Sequence, residues 1–475
     1  MPHNKYNPVT QKIVSDLKKI VGDKYVIFDD REKLEPYSHD EIPGTDFRSM
    51  PEAVVRPRSA QEISNIMKLA NRDNIPVTPR GAGSGLSGGA VPVHGGIVLC
   101  IDRMNKILEL DKENMMVVVE PGVITNDINE YLKGHDLFYA GYPMSLETCY
   151  IGGNVAENAG GGKAIKYGVT SRYVLGLEVV LPSGEIVELG GKLLKDVTGY
   201  NMIQLMVGSE GTLGIFTKII LKVIPLPKHQ VDILCLFKSS EHAIQVVPKM
   251  MTEIGITPTS IEFMDQTAVK VSCDYLNETI PYEKAGAMLL ISVDGSDKER
   301  IEQEYEALGE FCEKYGAIEV YVADNATTSE RVWKVRRNIA EAYGALTGLQ
   351  TGEDLSVPPA TIPLMVAEVA KIAKKYGVSA ACYGHAADGN LHARIVADPG
   401  WNHDQWKKVL VKILDDLYTL VQKAGGRISG EHGIGHKRKE YMRYVVSEEY
   451  LNMLRAIKRS LDPNNILNPG KIFDV

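Results

Sequence analysis

PRGAGSGLSGGA, from Pro79 to Ala90, places five glycines in twelve residues and carries no acidic side chain. Glycine tolerates positive φ and has no Cβ, so successive main-chain N–H groups of such a loop can close on a pyrophosphate. Neither a G-x-G-x-x-G followed by a helix and a distal acidic residue nor G-x-x-x-x-G-K-[ST] is present here, which excludes the ordinary Rossmann and P-loop readings. A second loop, IGGNVAENAGGG from Ile151 to Gly162, repeats the chemistry, and VGSEGTLGI from Val207 to Ile215 repeats it again. Three such loops in one region imply a single long dinucleotide lying across them.

Around these loops the chain alternates strand and helix signals. Residues 53–104 read as strand (AVVRP), a helix capped by Ser59 (SAQEISNIMKLANRD), strand (PVTPRG) and strand (GGIVLCI). Residues 115–224 continue with MMVVVEPG, a helix over 125–133, LGLEVVLPSG with a turn at 182–184, and the strand GIFTKIILKVIPLP. After the Pro-bearing linker Pro225-Leu226-Pro227 the segments lengthen. Helices are expected over 241–254, 298–315, 329–346, 362–376 and 404–424, between strands VDILCLF, AMLLISVDG and AIEVYVAD. The fold class is α+β. The expected divisions are 1–45, a helical extension; 46–226, the glycine-loop domain; 227–425, a second α+β domain; and 426–475, a turn-rich segment returning to the first domain. The apolar spacing of Val9, Ile13, Leu17 and Ile20 predicts a short amphipathic helix that packs on the body.

GHAADGNLH, from Gly384 to His392, and SGEHGIGHK, from Ser429 to Lys437, supply His385, His392, Glu431 and His432. If Asp388-Gly389 forms a two-residue hairpin turn, residue 387 pairs with 390, 386 with 391, and 385 with 392. The histidines would then be cross-strand neighbours with Cβ atoms about 5 Å apart, close enough to share one divalent ion. Glu431 would complete a His/His/Glu set with positions left open for substrate oxygens. Alone, either histidine reads as an ordinary core or surface residue; the DG turn and the Gly-rich EHG segment favour the joint reading.

With 475 residues the chain exceeds one compact domain. Its 53 basic and 61 acidic residues give a net charge of −8, and its longest basic block is the four-residue run His436–Lys439, so a nucleic-acid partner is not expected. Six scattered cysteines without a CxxC argue against a zinc ribbon, an iron–sulfur cluster or a dithiol motif, and suit buried thiols of a reducing compartment. No apolar run approaches eighteen residues, and the first seventeen residues lack a signal-peptide pattern; a soluble, cytoplasmic protein without a membrane span is expected.

PRGAGSGLSGG, PGV at 121–123, GYPMSLETCYIGGNVAENAGGG and GSEGTLGI together resemble the FAD-binding domain of the vanillyl-alcohol-oxidase and p-cresol-methylhydroxylase (PCMH) superfamily. GHAADGNLH, SGEHGIG and NPGKIF resemble its branch of FAD-dependent D-2-hydroxy acid dehydrogenases, which includes glycolate oxidase large subunits, flavin D-lactate dehydrogenases and 2-hydroxyglutarate dehydrogenases. The likeness runs from about residue 45 to the C-terminus and implies a PCMH-type FAD domain followed by a substrate, or cap, domain. It implies that the FAD diphosphate lies on Arg80, Gly81, Ala82, Gly83, Ser84, Gly85, Leu86 and Ser87. Pro143, Ser145 and Thr148, with Gly152, Gly153, Asn154, Ala156, Asn158, Gly160 and Gly161, would hold the diphosphate and ribityl portions. Glu210, Gly211, Gly214 and Ile215 would contact the adenine side. Residues 79–90 hold neither histidine nor cysteine, so non-covalent FAD is expected, with Cys149 the nearest thiol to check.

The resemblance also assigns chemistry. His432 would take the substrate hydroxyl proton, since an imidazole can accept a proton at neutral pH, while an ion on His385, His392 and Glu431, either Fe, Zn or Mn, would chelate the substrate hydroxyl and carboxylate. A W-x-x-R segment points to Arg336, rather than Arg337, for the substrate carboxylate. Asn390 would bond substrate or close the turn. Related 2-hydroxyglutarate dehydrogenases carry a lysine just before DLSxP; here the text is QTGEDLSVP, which favours a short acid, D-lactate to pyruvate first and glycolate next. Reduced FAD needs an acceptor, and an electron-transferring flavoprotein is preferred over an iron–sulfur subunit or quinone. A non-catalytic FAD relay subunit is the rival from another class.

Overall fold

A computed structural model of the chain describes residues 6–475; the first five, where the N-terminal reading begins, lie outside the described residues. Two compact units result. One comprises Met1–Gly160, Val169–Leu226 and Glu431–Val475, the other Gly161–Gly168 and Pro227–Gly430.

The first unit contains the glycine loops. Its four-stranded sheet has the order Val26–Phe28, Ala53–Val55, Ile97–Cys100, Val77–Arg80, with the last three strands mutually parallel. The strand–helix–strand–strand rhythm read from 53–104 is what forms. The helix Ala60–Arg72 starts where Ser59 accepts the N–H of Glu62, and Ile63, Ile66, Met67 and Ala70 are buried at helical spacing. The predicted N-terminal helix is Gln11–Val21, and its Ile13, Leu17 and Val21 join the same core cluster as Ile66, Leu99, Ile215 and Leu467. Removing the fully buried Leu17 side chain would cost about 2–5 kcal/mol. A second, antiparallel sheet follows the order Ile107–Asp111, Met116–Val119, Ile215–Lys222, Val174–Val180, Ile186–Gly190. The C-terminal segment returns to this unit. Val77 N donates to Ile466 O and Asn468 N to Val77 O, each at 2.7 Å, which satisfies the outer edge of the Val77–Arg80 strand.

The second unit is built on one seven-stranded antiparallel sheet. From edge to edge it runs Ala317–Ala323, His229–Phe237, Ala287–Gly295, Ser260–Asp265, Ser379–His385, Asn390–Val396 and Gln350–Ser356. Helices Gln266–Leu276, Ala326–Arg337 and Ile339–Leu346 cover one face through Val269, Val335, Ile339 and Tyr343, which pack on Met264, Leu290 and Tyr383. The single helix expected over 329–346 is therefore two, broken at Asn338, where the backbone leaves the helix at φ −91°, ψ 4° and the side-chain amide donates back to Lys334 O. The strand Ser260–Asp265, unread in the sequence, lies in the middle of the sheet.

The hairpin register also differs from expectation. His385 pairs with Asn390, Gly384 with Leu391 and Tyr383 with His392, so the loop has four residues, 386–389, rather than two. Neighbouring backbone competes for its ends. Ala386 N donates to Ile261 O, and Val357 N donates to Gly389 O, both at 2.9 Å, drawing these residues out of the hairpin. Asp388 accepts the N–H of Asn390 and Gly389 takes φ +86°, so the dipeptide still makes the turn.

Candidate active site

Side chains alternate along a strand, so residues two apart share a face. In the second unit this puts Asn390, His392 and Arg394 on one face, opposite Ser356, Asp354 and Gly352 on one neighbour and His385, Tyr383 and Ala381 on the other. The shifted register makes the two histidines diagonal rather than opposed. Their rings still meet edge to face, with centroids 5.7 Å apart, and the Tyr383 ring stacks on His392 at 5.3 Å.

Glu262, from the central strand and fully buried, ties three features together. His385 Nδ1 lies 2.7 Å from its Oε1, Arg336 Nε donates to Oε2 at 2.7 Å, and Arg336 Nη2 is 2.6 Å from Oε2. Burial alone would raise the Glu262 carboxyl; Arg336 and His385 outweigh it and hold the group below its usual range. An ionised Glu262 makes Nδ1 of His385 the donor and leaves Nε2 as the nitrogen able to bind an electrophile, the arrangement typical of a metal-bound histidine. Gly162 allows this packing, since a Cβ there would lie 2.4 Å from Glu262 Oε1.

Asp354 is the second organising carboxylate. Its Oδ1 accepts Asn390 Nδ2 at 2.7 Å, and its Oδ2 accepts Ser429 Oγ at 2.7 Å and Gly430 N at 2.9 Å. Ser356 and Arg427 exchange both main-chain bonds, so residues 427–430 are fixed alongside the Gln350–Ser356 strand. Asn390, expected to bond substrate or close the turn, donates its amide N–H groups to Asp354 and Leu355 O, and Arg336, expected to meet the substrate carboxylate, is ion-paired to Glu262.

In the first unit, Glu431 packs beside Gly160, where a Cβ would sit 3.4 Å from its Oε2, and His432 Nε2 lies 3.9 Å from Glu431 Oε1, outside hydrogen-bond range. The turn that follows is bolted to the glycine loops. Glu210, at φ +52°, accepts Ile434 N and Gly435 N at 2.7 and 2.6 Å, while Ser87 O accepts His436 N and Lys437 N. Asp40 accepts Gly88 N at 2.7 Å, and Arg80 donates to His39 O and Pro36 O, so the guanidinium braces the first loop from behind. Lys471 reaches Val91 O and Asn468; burial lowers its ammonium to about 7, against the pull of Glu210 and Asp40.

The glycines divide by what surrounds them. A Cβ on Gly152 would strike Pro121 at 2.6 Å, and one on Gly214 would strike Val179 at 2.3 Å; these two are needed for packing. At Gly81 and Gly85 a Cβ would meet nothing nearer than 3.8 Å, and at Gly153 nothing within 4 Å, so here the room is open to a ligand, as a flavin dinucleotide requires. Asn154 Nδ2 donates to Thr125 Oγ1, Asn158 Oδ1 accepts Ser171 N, Ile215 lies in the core, and Ala156 O accepts Glu210 N. Cys149 is buried with its sulfur 3.4 Å from Thr125 Oγ1. Pro143, Ser145 and Thr148 form a more exposed turn closed by Thr148 N on Ser145 O. No described helix is long and apolar enough to cross a membrane.

Glu262 and Asp354, the two carboxylates that orient these side chains, were missed in the sequence.

Two family models match: an FAD binding domain over residues 51–190 and the C-terminal domain of FAD linked oxidases over 226–472. The chain is 40% identical to glycolate oxidase subunit GlcD of Bacillus subtilis over 92% of each protein, and 37% identical to D-lactate dehydrogenase of Anaerostipes hadrus over 99% of each. It superposes on p-cresol methylhydroxylase with a TM-score of 0.82 at 20% identity, covering 98% of both chains, which confirms the PCMH-type fold. By its matched domains and relatives, the chain belongs to the FAD-linked oxidases, as an FAD-dependent oxidoreductase of the D-lactate, glycolate and D-2-hydroxyglutarate dehydrogenase type.

Proposed function

We propose that the protein oxidises D-lactate to pyruvate, with His385, His392 and Glu431 holding one divalent ion and His432 acting as the base. The observation that carries this reading is His385, oriented through Nδ1 by Glu262 at 2.7 Å and with its ring edge-on to His392 at a centroid distance of 5.7 Å. Glu431 and His432 follow Gly430 by one and two peptide bonds, and Gly430 is held by Asp354, which also anchors Asn390 in the hairpin loop. Covalent continuity therefore limits how far these side chains lie from the histidine pair. Two nitrogens and a carboxylate oxygen suit Fe, Zn or Mn.

His432 takes the hydroxyl proton. FAD, held non-covalently along the glycine loops, would supply a two-electron acceptor for the C2 hydride, which with the hydroxyl proton taken by His432 accounts for oxidation of the carbinol to a ketone, and an ion held by His385, His392 and Glu431 would supply Lewis acidity toward the substrate oxygens. Glu262 keeps His385 in its donor tautomer, and Arg336 balances the charge of Glu262. Electrons pass on to an electron-transferring flavoprotein. All six cysteines are single buried thiols, which supports a separate acceptor; a pull-down returning only an iron–sulfur subunit would refute that choice. Glycolate and D-2-hydroxyglutarate are the alternative substrates, on the strength of relatives that carry those names.

The test is anaerobic bleaching of the flavin by D-lactate, L-lactate, glycolate and D-2-hydroxyglutarate, with and without chelator. Rapid bleaching by D-lactate that chelator abolishes is expected. A fully loaded flavin that no hydroxy acid bleaches would replace this reading with a relay subunit.

A further inference from the structure

Gly161–Gly168 stands with the second unit although the chain on both sides of it belongs to the first. It is a single stiff turn: Ala164 N donates to Gly161 O, Tyr167 N to Lys163 O and Gly168 N to Ala164 O, at 2.8–2.9 Å, around the short helix Ala164–Tyr167. One end of the turn meets the sheet at Asp294, in the strand Ala287–Gly295. Lys166 Nζ donates to Asp294 O and Oδ1, each at 2.6 Å, and Tyr167 Oη donates to Oδ1 at 2.7 Å. A third donor to that oxygen, Thr259 Oγ1 at 2.7 Å, comes from the sheet side. Asp294 is 3% exposed, and its Oδ2 is buried without a hydrogen-bond partner among the described residues. A buried carboxylate placed only to satisfy itself would share its donors over both oxygens. Here all three are gathered on one oxygen and two of them come from the turn, so what the arrangement fixes is the turn.

The other end of the turn reaches the Glu262–His385 pair. A Cβ on Gly162 would lie 2.4 Å from Glu262 Oε1 and 3.6 Å from His385 Nδ1, so the Gly162 main chain packs against the contact that orients the imidazole. Glu262 uses its oxygens separately, Oε1 for His385 and Oε2 for Arg336, and Oε1 is the one beside Gly162. Ser292 lies opposite Ser260 and Leu290 opposite Glu262, so by alternation Asp294 and Glu262 stand on one sheet face, with Asp294 about 14 Å along its strand from Leu290. The stiff turn spans that interval. We infer that Asp294 is a positioning residue: by holding Lys166 and Tyr167 it seats Gly162 against Glu262 and so sets the aim of His385. This rests on the metal-binding reading of His385 given above. The His385 arm of Glu262 depends on the clamp at Asp294, whereas the Arg336 arm does not.

Holoenzyme variants on the two sides of Asp294 Oδ1 test this. Lys166→Met and Tyr167→Phe remove donors that belong to the turn, Thr259→Val removes the donor that belongs to the sheet, and Asp294→Asn keeps the shape of the acceptor without its charge. Flavin content and melting temperature first establish that each variant is folded. Each protein is then stripped with chelator and titrated with Mn²⁺ and with Zn²⁺ by calorimetry, well below its melting temperature. Asp294→Asn and Lys166→Met should weaken metal binding by about 10–100-fold, the usual effect of disturbing the partner of a metal-bound histidine. Lys166→Arg should recover part of the loss, and Thr259→Val should keep wild-type affinity. Equal weakening in Thr259→Val, or wild-type affinity in Asp294→Asn beside a lowered melting temperature, would make Asp294 a purely structural ion pair and overturn the inference. A second readout needs no metal: histidine-selective ¹⁵N spectra of the metal-free holoenzyme, with His385→Gln identifying the resonances. Wild type should show His385 with its proton on Nδ1, and Asp294→Asn should show a mixture of tautomers. If wild type binds neither ion, the metal reading fails by itself and these spectra decide, with unchanged His385 resonances in Asp294→Asn counting against the clamp. Should Asp294→Asn not fold, Tyr167→Phe, which loses a single hydroxyl, decides by the same two measurements.

Discussion

In the first unit the carboxylates of Asp40 and Glu210 accept main-chain N–H groups, those of Gly88, Ile434 and Gly435; in the second the carboxylates of Glu262 and Asp354 hold side chains, those of His385, Arg336, Asn390 and Ser429. One site is thus made of backbone, shaped by glycines and braced from behind. The other is made of side chains standing on one face of a β-sheet. Backbone sites depend on where a Cβ is absent, whereas side-chain sites depend on partners that come from distant strands. Substitutions in the two should fail in different ways.

The largest difference should come from His432, whose main chain belongs to the glycine-rich turn but whose proposed work is chemical. His432→Ala should keep flavin and bound metal, and lose about 10²–10⁴ in the rate of flavin bleaching by D-lactate, the usual contribution of a general base. Bleaching within a few-fold of wild type would put this residue back among the structural members of the turn. Next comes Glu262→Gln. Removing the counter-ion of the buried Arg336 should destabilise the second unit by about 3–5 kcal/mol, and losing the acceptor on His385 should weaken metal retention by about 10–100-fold. Hydrogen exchange should locate the loss in the seven-stranded sheet, with the Val77–Arg80 region unaffected. Uniform loss across both units would break the contrast.

The same contrast explains what the sequence could reveal. Glycine spacing is local, so the loops at 79–90, 151–162 and 207–215 and the strand–helix rhythm about Ala60–Arg72 were legible. His385, His392 and the EHG segment were legible because a short motif carries them. Glu262 was not, since its strand is separated from His385 by more than a hundred residues and nothing near it marks the pairing. The hairpin register failed for a related reason: a two-residue turn is the local preference of Asp388-Gly389, but Ile261 and Val357 on neighbouring backbone take the hydrogen bonds it needs. Arg336 was placed by its motif, yet its charge balance was set by Glu262, which the motif does not contain.

A smaller effect separates two adjacent glycines. Gly152→Ala would drive a methyl into Pro121 and should destabilise the first unit by about 1–3 kcal/mol, whether or not FAD is present. Gly153→Ala meets nothing within 4 Å and should leave the apoprotein melting temperature unchanged, while raising the FAD dissociation constant. Melting curves of apo and reconstituted protein test both. Equal FAD affinity in Gly153→Ala and wild type would move the dinucleotide away from this part of the loop.

The smallest effect is one of sign. Burial, and then Glu210 and Asp40, push the Glu157 carboxyl well above its usual value against the opposing Arg438, whereas Glu262 is held below its own. A carboxyl raised in the folded state keeps its proton while the unfolded chain releases one, so stability falls as pH rises from the ordinary glutamate value near 4.3 toward the raised one. A carboxyl lowered in the folded state does the reverse: its contribution is present above the unfolded value and is lost as pH falls through the folded one. Glu157→Gln should therefore be more stable than wild type, with a gap that widens as pH rises through that window, and Glu262→Gln less stable, with a gap that closes on acidification. Denaturant midpoints followed from pH 4 to pH 8 measure both gaps. Because Arg438 and the carboxylates around Glu157 partly offset one another, its gap should be the narrower of the two, and gaps of the same sign in both variants would mean that the buried acids of the two units answer to one electrostatic environment rather than two.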